Sequence, residues 1–260
     1  MNSLHYYSGR LKAYYEIIGA VSLRNVKLRY KNSILGFLWT LINPLIYLTI
    51  FIFIFKNAFP DIENYPLYAI TGLIIWTFFS GTSTQIMNSI IDSGGILKSL
   101  GVPPIIFPIS YLISSMINFL LSLIPFFILM VFFGFQPKAE SLLLFPGLLL
   151  FGMFTFGFSL LLCSFNVFFR DVSMFYNTIM PALFYFTPIA YSFNLVPEKA
   201  KVFVKLNPIF HYIEFFRDTL YYGRTPSLST SLIVCVLSVL FTSLGIYTFN
   251  KLKRGFISHL

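Results

Sequence analysis

Six stretches long enough to cross a bilayer, none containing an Asp, Glu, Lys or Arg, constrain this chain more than any other feature. They occupy residues 35–55, 67–87, 107–133, 142–165, 174–192 and 228–249. A hydrocarbon core roughly 30 Å thick takes about 20 apolar residues as a helix. One charge at its centre costs about 2.5–3.5 kcal/mol, so six clean runs are incompatible with an ordinary soluble domain. The expected fold is all-α and integral to the membrane, with six transmembrane helices. Only 10% of the chain is charged, against about 25% in soluble domains. The runs use most of the 260 residues, which points to a single membrane domain over 1–260. The first eight residues lack the basic start and apolar core of a cleavable signal peptide. The first run is therefore expected to remain as a span.

The formal charge of +9 invites a nucleic-acid reading, but its distribution favours a membrane topology instead. With the N-terminus placed in the cytoplasm, the loops on that side carry eleven basic residues against three acidic ones; the opposite side carries seven against six. Positive charge kept inside implies a multi-pass protein with both termini cytoplasmic, as an even number of spans requires. No nucleic-acid partner is expected. Cys163 and Cys235 fall within apolar runs, and His5, His211 and His259 share no ligand spacing, so no disulfide framework or metal site is implied.

Three segments outside the runs carry pattern. Residues 11–31 are expected to form an amphipathic helix on the membrane surface: Arg24, Lys27 and Lys31 fall on one stripe, with Leu23, Val26 and Tyr30 beside it. It is either a topology anchor or an interface helix meeting a lipid headgroup or a partner. Residues 88–106 form the longest cytoplasmic loop, where glycines and prolines bracket a short helical stretch at 96–100. Residues 193–227 form a long external segment. Asn207 suits an N-cap, Pro208 a first helical position, and Ile209, Ile213, Phe216 and Leu220 recur at helical spacing. An apolar face there must bury itself, either as a re-entrant gate element or as a flat surface helix.

Chemistry is sparse. No phosphate-binding loop occurs, so any ATP-driven work belongs to another polypeptide. No run carries an ionisable carboxylate or amine, which disfavours a proton or sodium relay. Acidic and histidine clusters for catalysis are missing, so the chain is not expected to be an enzyme. Aromatics make up 20% of the residues, and most suit packing and interface belts. Two stripes are less suited to lipid. Trp39, Asn43 and Tyr47 share a helix face at steps of four; Asn177, Pro181 and Tyr185 do the same, near Tyr191. Rings with a polar tip can stack on a sugar and bond its hydroxyls, making Trp39, Asn43, Tyr47, Asn177, Tyr185 and Tyr191 pathway-lining candidates.

The stretch from Arg24 to Pro44 contains Leu28-Arg29-Tyr30-Lys31, then Ser33-Ile-Leu-Gly-Phe-Leu-Trp39, then Asn43-Pro44. It resembles the ABC-2 type permeases that export polysaccharides, the Wzm-like group for O-antigen with relatives for capsule and teichoic acid. Pro103, Pro104 and Pro108, the Arg170-Asp171 step and Asn207-Pro208 extend the resemblance over nearly the whole chain. The resemblance implies a homodimer of six-span subunits, each paired with a separate cytoplasmic ATP-binding subunit that holds the ATP and Mg. The chain itself would need no cofactor. It also implies an interface helix, a coupling helix between spans two and three, with Asp92, Ile96, Leu97 and Lys98 as coupling candidates, and gate helices between spans five and six. Asn207, Pro208, Phe210 and Phe216 are the gate candidates. The implied substrate is a glycan on undecaprenyl pyrophosphate, moved from the cytoplasmic to the outer leaflet of the inner membrane. Arg24, Lys27, Arg29 and Lys31 would then be headgroup candidates. The alternatives are an ABC-2 permease for drugs or small lipids, and a non-transport scaffold subunit of an envelope assembly.

Overall fold

The computed structural model describes residues 2–31, 33–36, 38–55, 62–135 and 138–260. Phe37, inside the first apolar run, and the connection at 56–61 lie outside the described residues. Every regular element among the described residues is helical. The α-helices in chain order are α1 (Asn2–Tyr30), α2 (Leu38–Phe55), α3 (Tyr65–Asp92), α4 (Gly94–Leu100), α5 (Ile106–Phe132), α6 (Leu144–Asn166), α7 (Asp171–Phe186), α8 (Glu198–Leu206), α9 (Pro208–Phe216), α10 (Leu228–Leu252) and α11 (Phe256–His259), with short 3-10 or π turns at Ala139–Leu143, Phe193–Leu195, Arg217–Tyr221 and Lys253–Gly255.

Among the described residues, three helical stretches are long and apolar enough to cross a membrane: Ile106–Phe132, Ala139–Asn166 and Leu228–His259. α2 contributes a shorter apolar helix, Ile42–Phe55. α3 has the length, at 28 residues, but Thr71, Thr82, Ser83, Gln85, Asn88 and Ser89 dilute its apolar character. That composition suits its position, because α3 packs against α2, α5, α6, α7 and α9. The hydroxyls of Thr71, Ser83 and Ser89 bond its own backbone carbonyls, which makes them tolerable without water.

The fifth apolar run, expected as one span over 174–192, is helical only to Phe186. Thr187 turns extended at φ −87° and ψ 132°, because the ring of the following Pro188 disfavours a helical residue before it. The loop at 88–106, expected on the cytoplasmic side, is also shorter than its sequence suggests. α3 continues to Asp92, and Gly94-Gly95 open α4 rather than bracketing it. Ser93 makes the break, and Gly101 ends α4 at φ 58°, a left-handed conformation that glycine adopts without a Cβ clash.

The tightest packing joins α6 and α10. Glycines recur every five residues along α6, and each admits a different neighbour. A Cβ on Gly147 would strike the Phe215 ring, one on Gly152 the Met116 terminus, and one on Gly157 the Phe241 carbonyl. From the other side, Gly245 meets the backbone of Gly157. Backbones this close let Ser238 and Thr242 of α10 donate to the carbonyls of Leu150 and Met153 of α6, both at 2.8 Å. The sequence pattern of glycines four apart is missing, yet close packing is achieved by a pair contributed from two helices.

Aromatic rings fill the space between α3, α6 and α9. Phe79 stacks on Phe154 at 5.8 Å, and Phe154 on Tyr212 at 4.9 Å. Phe78 meets Phe119 of α5 edge-on at 5.0 Å. Such geometries contribute roughly 0.5–1.5 kcal/mol per pair beyond area burial. α1 packs along α5, where Tyr30 donates to Asn118 Oδ1 at 2.8 Å and Asn118 donates onward to the Ser114 carbonyl.

Candidate functional site

A cleft of about 480 Å³ opens between the end of α1 and helices α2, α3 and α5. Arg29 and Tyr30 line it from α1, Trp39, Asn43 and Tyr47 from α2, Thr77 and Phe78 from α3, and Asn118 and Ser122 from α5. The i, i+4, i+8 spacing of Trp39, Asn43 and Tyr47 sets them on one helix face, as the sequence predicts, and that face is the cleft wall. Trp39 and Tyr47 are 41% and 51% exposed, so their rings are available rather than packed away. The walls combine aromatic faces, amide and hydroxyl groups, and one guanidinium. Among the described residues, no carboxylate lines it, and none of its side chains is a typical nucleophile with a base beside it. Such walls offer ring faces for stacking, amides and hydroxyls for hydrogen bonds, and one cation for an anionic group.

The structure gathers some sequence candidates and separates others. Of the four basic candidates, Arg29 alone lines the cleft; Arg24, Lys27 and Lys31 are exposed outside its lining. Asn177 and Tyr185 lie on an exposed face of α7, and neither belongs to this cleft. Tyr191 is half-buried and donates to the carbonyls of Tyr185 and Phe186, closing the turn that Pro188 forces. Thr77, Asn118 and Ser122 join the lining without any signal in the sequence, because single polar residues in apolar runs have no spacing pattern.

At the cytoplasmic end of the expected topology, Asp92 closes α3, Ile96 is half-buried, Leu97 is buried and Lys98 is exposed. Asp92 is exposed, but the partial desolvation of its carboxyl pushes it above its ordinary pKa, and Arg170 partly offsets this. At the opposite end, Asn207 caps α9 by accepting from Ile209 N at 3.1 Å, with Pro208 as the first helical residue. Asn207 also donates to Thr187 Oγ1 at 2.8 Å, tying the helix start to the end of α7. Phe210 packs with Phe193, Val196 and Val204, while Phe216 is fully buried against Phe151.

Beyond Phe216 the chain makes a π turn, Arg217–Tyr221, and it opens on a buried cation. Arg217 counts in the sequence as one of the seven basic residues outside the runs on the external side, yet it is 0% exposed. Its guanidinium sits 3.7 Å from the centre of the Tyr68 ring, donates to the Ile189 carbonyl at 2.7 Å and pairs with Glu214 at 3.3 Å. Nε has no partner among the described residues. Gly72 makes room: a Cβ there would lie 3.1 Å from both Arg217 Nη2 and the Ile189 carbonyl. Next to it Asp218 pairs with the exposed Arg224 at 2.7 Å. A second cleft, of about 610 Å³, adjoins this region and is lined by Tyr68, Tyr221, Tyr222, Phe135, Glu63 and Lys138.

The family model described as the ABC-2 type transporter matches residues 16–221. An O-antigen export system permease protein, RfbA, of Klebsiella pneumoniae is 31% identical over 245 residues, covering 93% of this chain and 94% of that protein. The corresponding RfbA of Myxococcus xanthus is 27% identical over 83% of this chain and 84% of its own length. The polysialic acid transport protein KpsM of Escherichia coli is 23% identical over 88% and 92%. With the family match spanning α1 to the π turn, and a relative above 30% identity aligned nearly end to end, the chain belongs to the ABC-2 type transporter family.

Proposed function

We propose that this chain is the transmembrane subunit of an ATP-driven exporter that moves a lipid-linked polysaccharide from the cytoplasmic to the outer leaflet of the bacterial inner membrane. The observation that carries the reading is the α1–α2–α3–α5 cleft, which unites Arg29 with the Trp39, Asn43 and Tyr47 face. Aromatic rings with amides and hydroxyls suit successive sugars. The guanidinium suits the pyrophosphate of an undecaprenyl carrier. Relatives named for O-antigen export and polysialic acid transport support the substrate class.

In this reading the chain spans the membrane six times with both termini cytoplasmic, and two copies form the passage. Each copy binds one cytoplasmic ATP-binding subunit, which carries ATP and Mg. α1 lies at the interface, α4 receives the motion of the ATPase, and α8 and α9 form the outer gate. Trp39 and Tyr47, exposed in a single chain, line the path between two copies. The test is glycan export by the complex carrying Trp39→Ala or Tyr47→Ala. Export should fall severalfold while assembly with the ATP-binding subunit persists. Full export of long glycan in both variants would remove the cleft from the pathway. ATPase activity stimulated by a drug-like amphiphile but not by lipid-linked glycan would instead make the chain a small-molecule permease. Absence of any ATPase complex would make it a scaffold.

A further inference from the structure

We propose that α11 is a positioning element that fixes the attitude of α4 and makes α4, α10 and α6 move as one unit; this rests on the reading of α4 as the ATPase contact. α4 has seven residues, too few to hold itself as a helix in isolation. It is flanked by a break at Ser93 and a left-handed Gly101, so its orientation must come from tertiary packing. Leu97 supplies one anchor, buried in a cluster with Ile90, Phe107, Cys163, Phe249 and Phe256. The second anchor is α11. Phe256 is fully buried, with its ring 5.2 Å from Phe249 and 6.0 Å from Phe168 in the α6–α7 turn. The His259 ring rests on Phe168 at 4.6 Å. Leu260 covers Gly94, where a Cβ would lie 3.7 Å from the Leu260 Cβ.

α11 therefore sits between α4 and the turn after α6, and it follows α10 through one 3-10 turn, Lys253–Gly255. A displacement of α4 is carried through Phe256 into α10, and through the Gly157–Gly245 crossing into α6. The same pair reaches α9 at the other end, where Tyr212 bonds Ser238 at 2.7 Å and the Val234 carbonyl at 3.1 Å.

Two variants of the complex test this, each compared with wild type for ATPase activity stimulated by lipid-linked glycan. Phe256→Ala empties the socket. It should co-purify with the ATP-binding subunit in wild-type yield and keep basal ATPase, while glycan stimulation falls roughly tenfold, the scale of a disrupted coupling element. Phe256→Leu, which refills most of the socket, should restore it. The second variant is Gly94→Cys with Leu260→Cys in a Cys235→Ser background. The Cβ separation of 3.7 Å suits a disulfide, and oxidation should leave stimulation and export at the level of the reduced form. Undiminished stimulation in Phe256→Ala, or loss of stimulation on oxidation of the cysteine pair, overturns the proposal while wild type still responds. A wild-type complex without glycan-stimulated ATPase would sink the exporter reading itself, and the role of α11 with it.

Discussion

Arg217 is where a single substitution should reveal most about how the segment after α7 is held. Its guanidinium makes a hydrogen bond to the Ile189 carbonyl at 2.7 Å, a face-on contact with Tyr68 at 3.7 Å and a pair with Glu214 at 3.3 Å. A hydrogen bond to a charged group contributes roughly 1.5–3 kcal/mol, and a desolvated cation–π contact about 2 kcal/mol. Against this stands the cost of removing the cation from water, several kcal/mol per ion. Glu214 is about one-third exposed, so it can hydrate when its partner leaves. Arg217→Ala loses all three contacts and leaves a cavity, and should cost about 3 kcal/mol, the lower end for breaking a buried pair. Arg217→Met fills the space without a buried charge and should cost less than Ala. Arg217→Lys should be no better than Ala, because a compact ammonium cannot stack on Tyr68 and reach the Ile189 carbonyl together. The assay is reversible unfolding of the purified chain in mixed micelles. A Lys variant as stable as wild type, or an Ala variant within about 0.5 kcal/mol of it, would refute the view that the fork and stack hold this turn.

Four further outcomes can be measured. Gly157→Ala drives a Cβ into the Phe241 carbonyl and should lower stability by about 1–3 kcal/mol, read as a fall in unfolding temperature. Gly81→Ala, facing open space, should be neutral or stabilising by up to ~1 kcal/mol. Asn207→Ala removes both the cap on Ile209 N and the bond to Thr187, and should cost at least ~1 kcal/mol with faster hydrogen exchange confined to the first turn of α9. Because partial burial raises the carboxyl of Asp92, itself still exposed to solvent, above its ordinary value of 3.8, its small, solvent-screened penalty on the folded state is complete only above the folded-state pKa. That penalty fades as pH falls through it toward the unfolded value. Wild type should therefore gain stability over that interval relative to Asp92→Asn, whose difference from wild type is largest at neutral pH.

The helical, membrane-embedded class was legible from the chain alone, because charge-free runs of that length have few other physical solutions. The Trp39–Asn43–Tyr47 face was legible for a related reason: a period of four on a helix needs no tertiary information. The Asn207-Pro208 start of α9 was equally local, since a cap and a fixed φ act within one turn. What failed to show were properties that depend on who the neighbour is. Nothing local distinguishes Arg217 from Arg224; one is enclosed by Tyr68, Ile189 and Glu214, the other half in solvent beside Asp218. The glycines of α6 carry no fixed-spacing motif, and only the approach of Gly245 from a helix nearly ninety residues away gives Gly157 its purpose. Likewise the apolar run at 174–192 reads as one span on hydropathy, whereas the Thr187-Pro188 step stops the helix and frees the chain to bond back through Tyr191. Sequence thus determined the solvent this chain lives in and the elements that short-range geometry controls. Tertiary structure decided which buried charge is satisfied, which helices touch backbone to backbone, and where α11 takes hold of α4, since each depends on groups far apart along the chain.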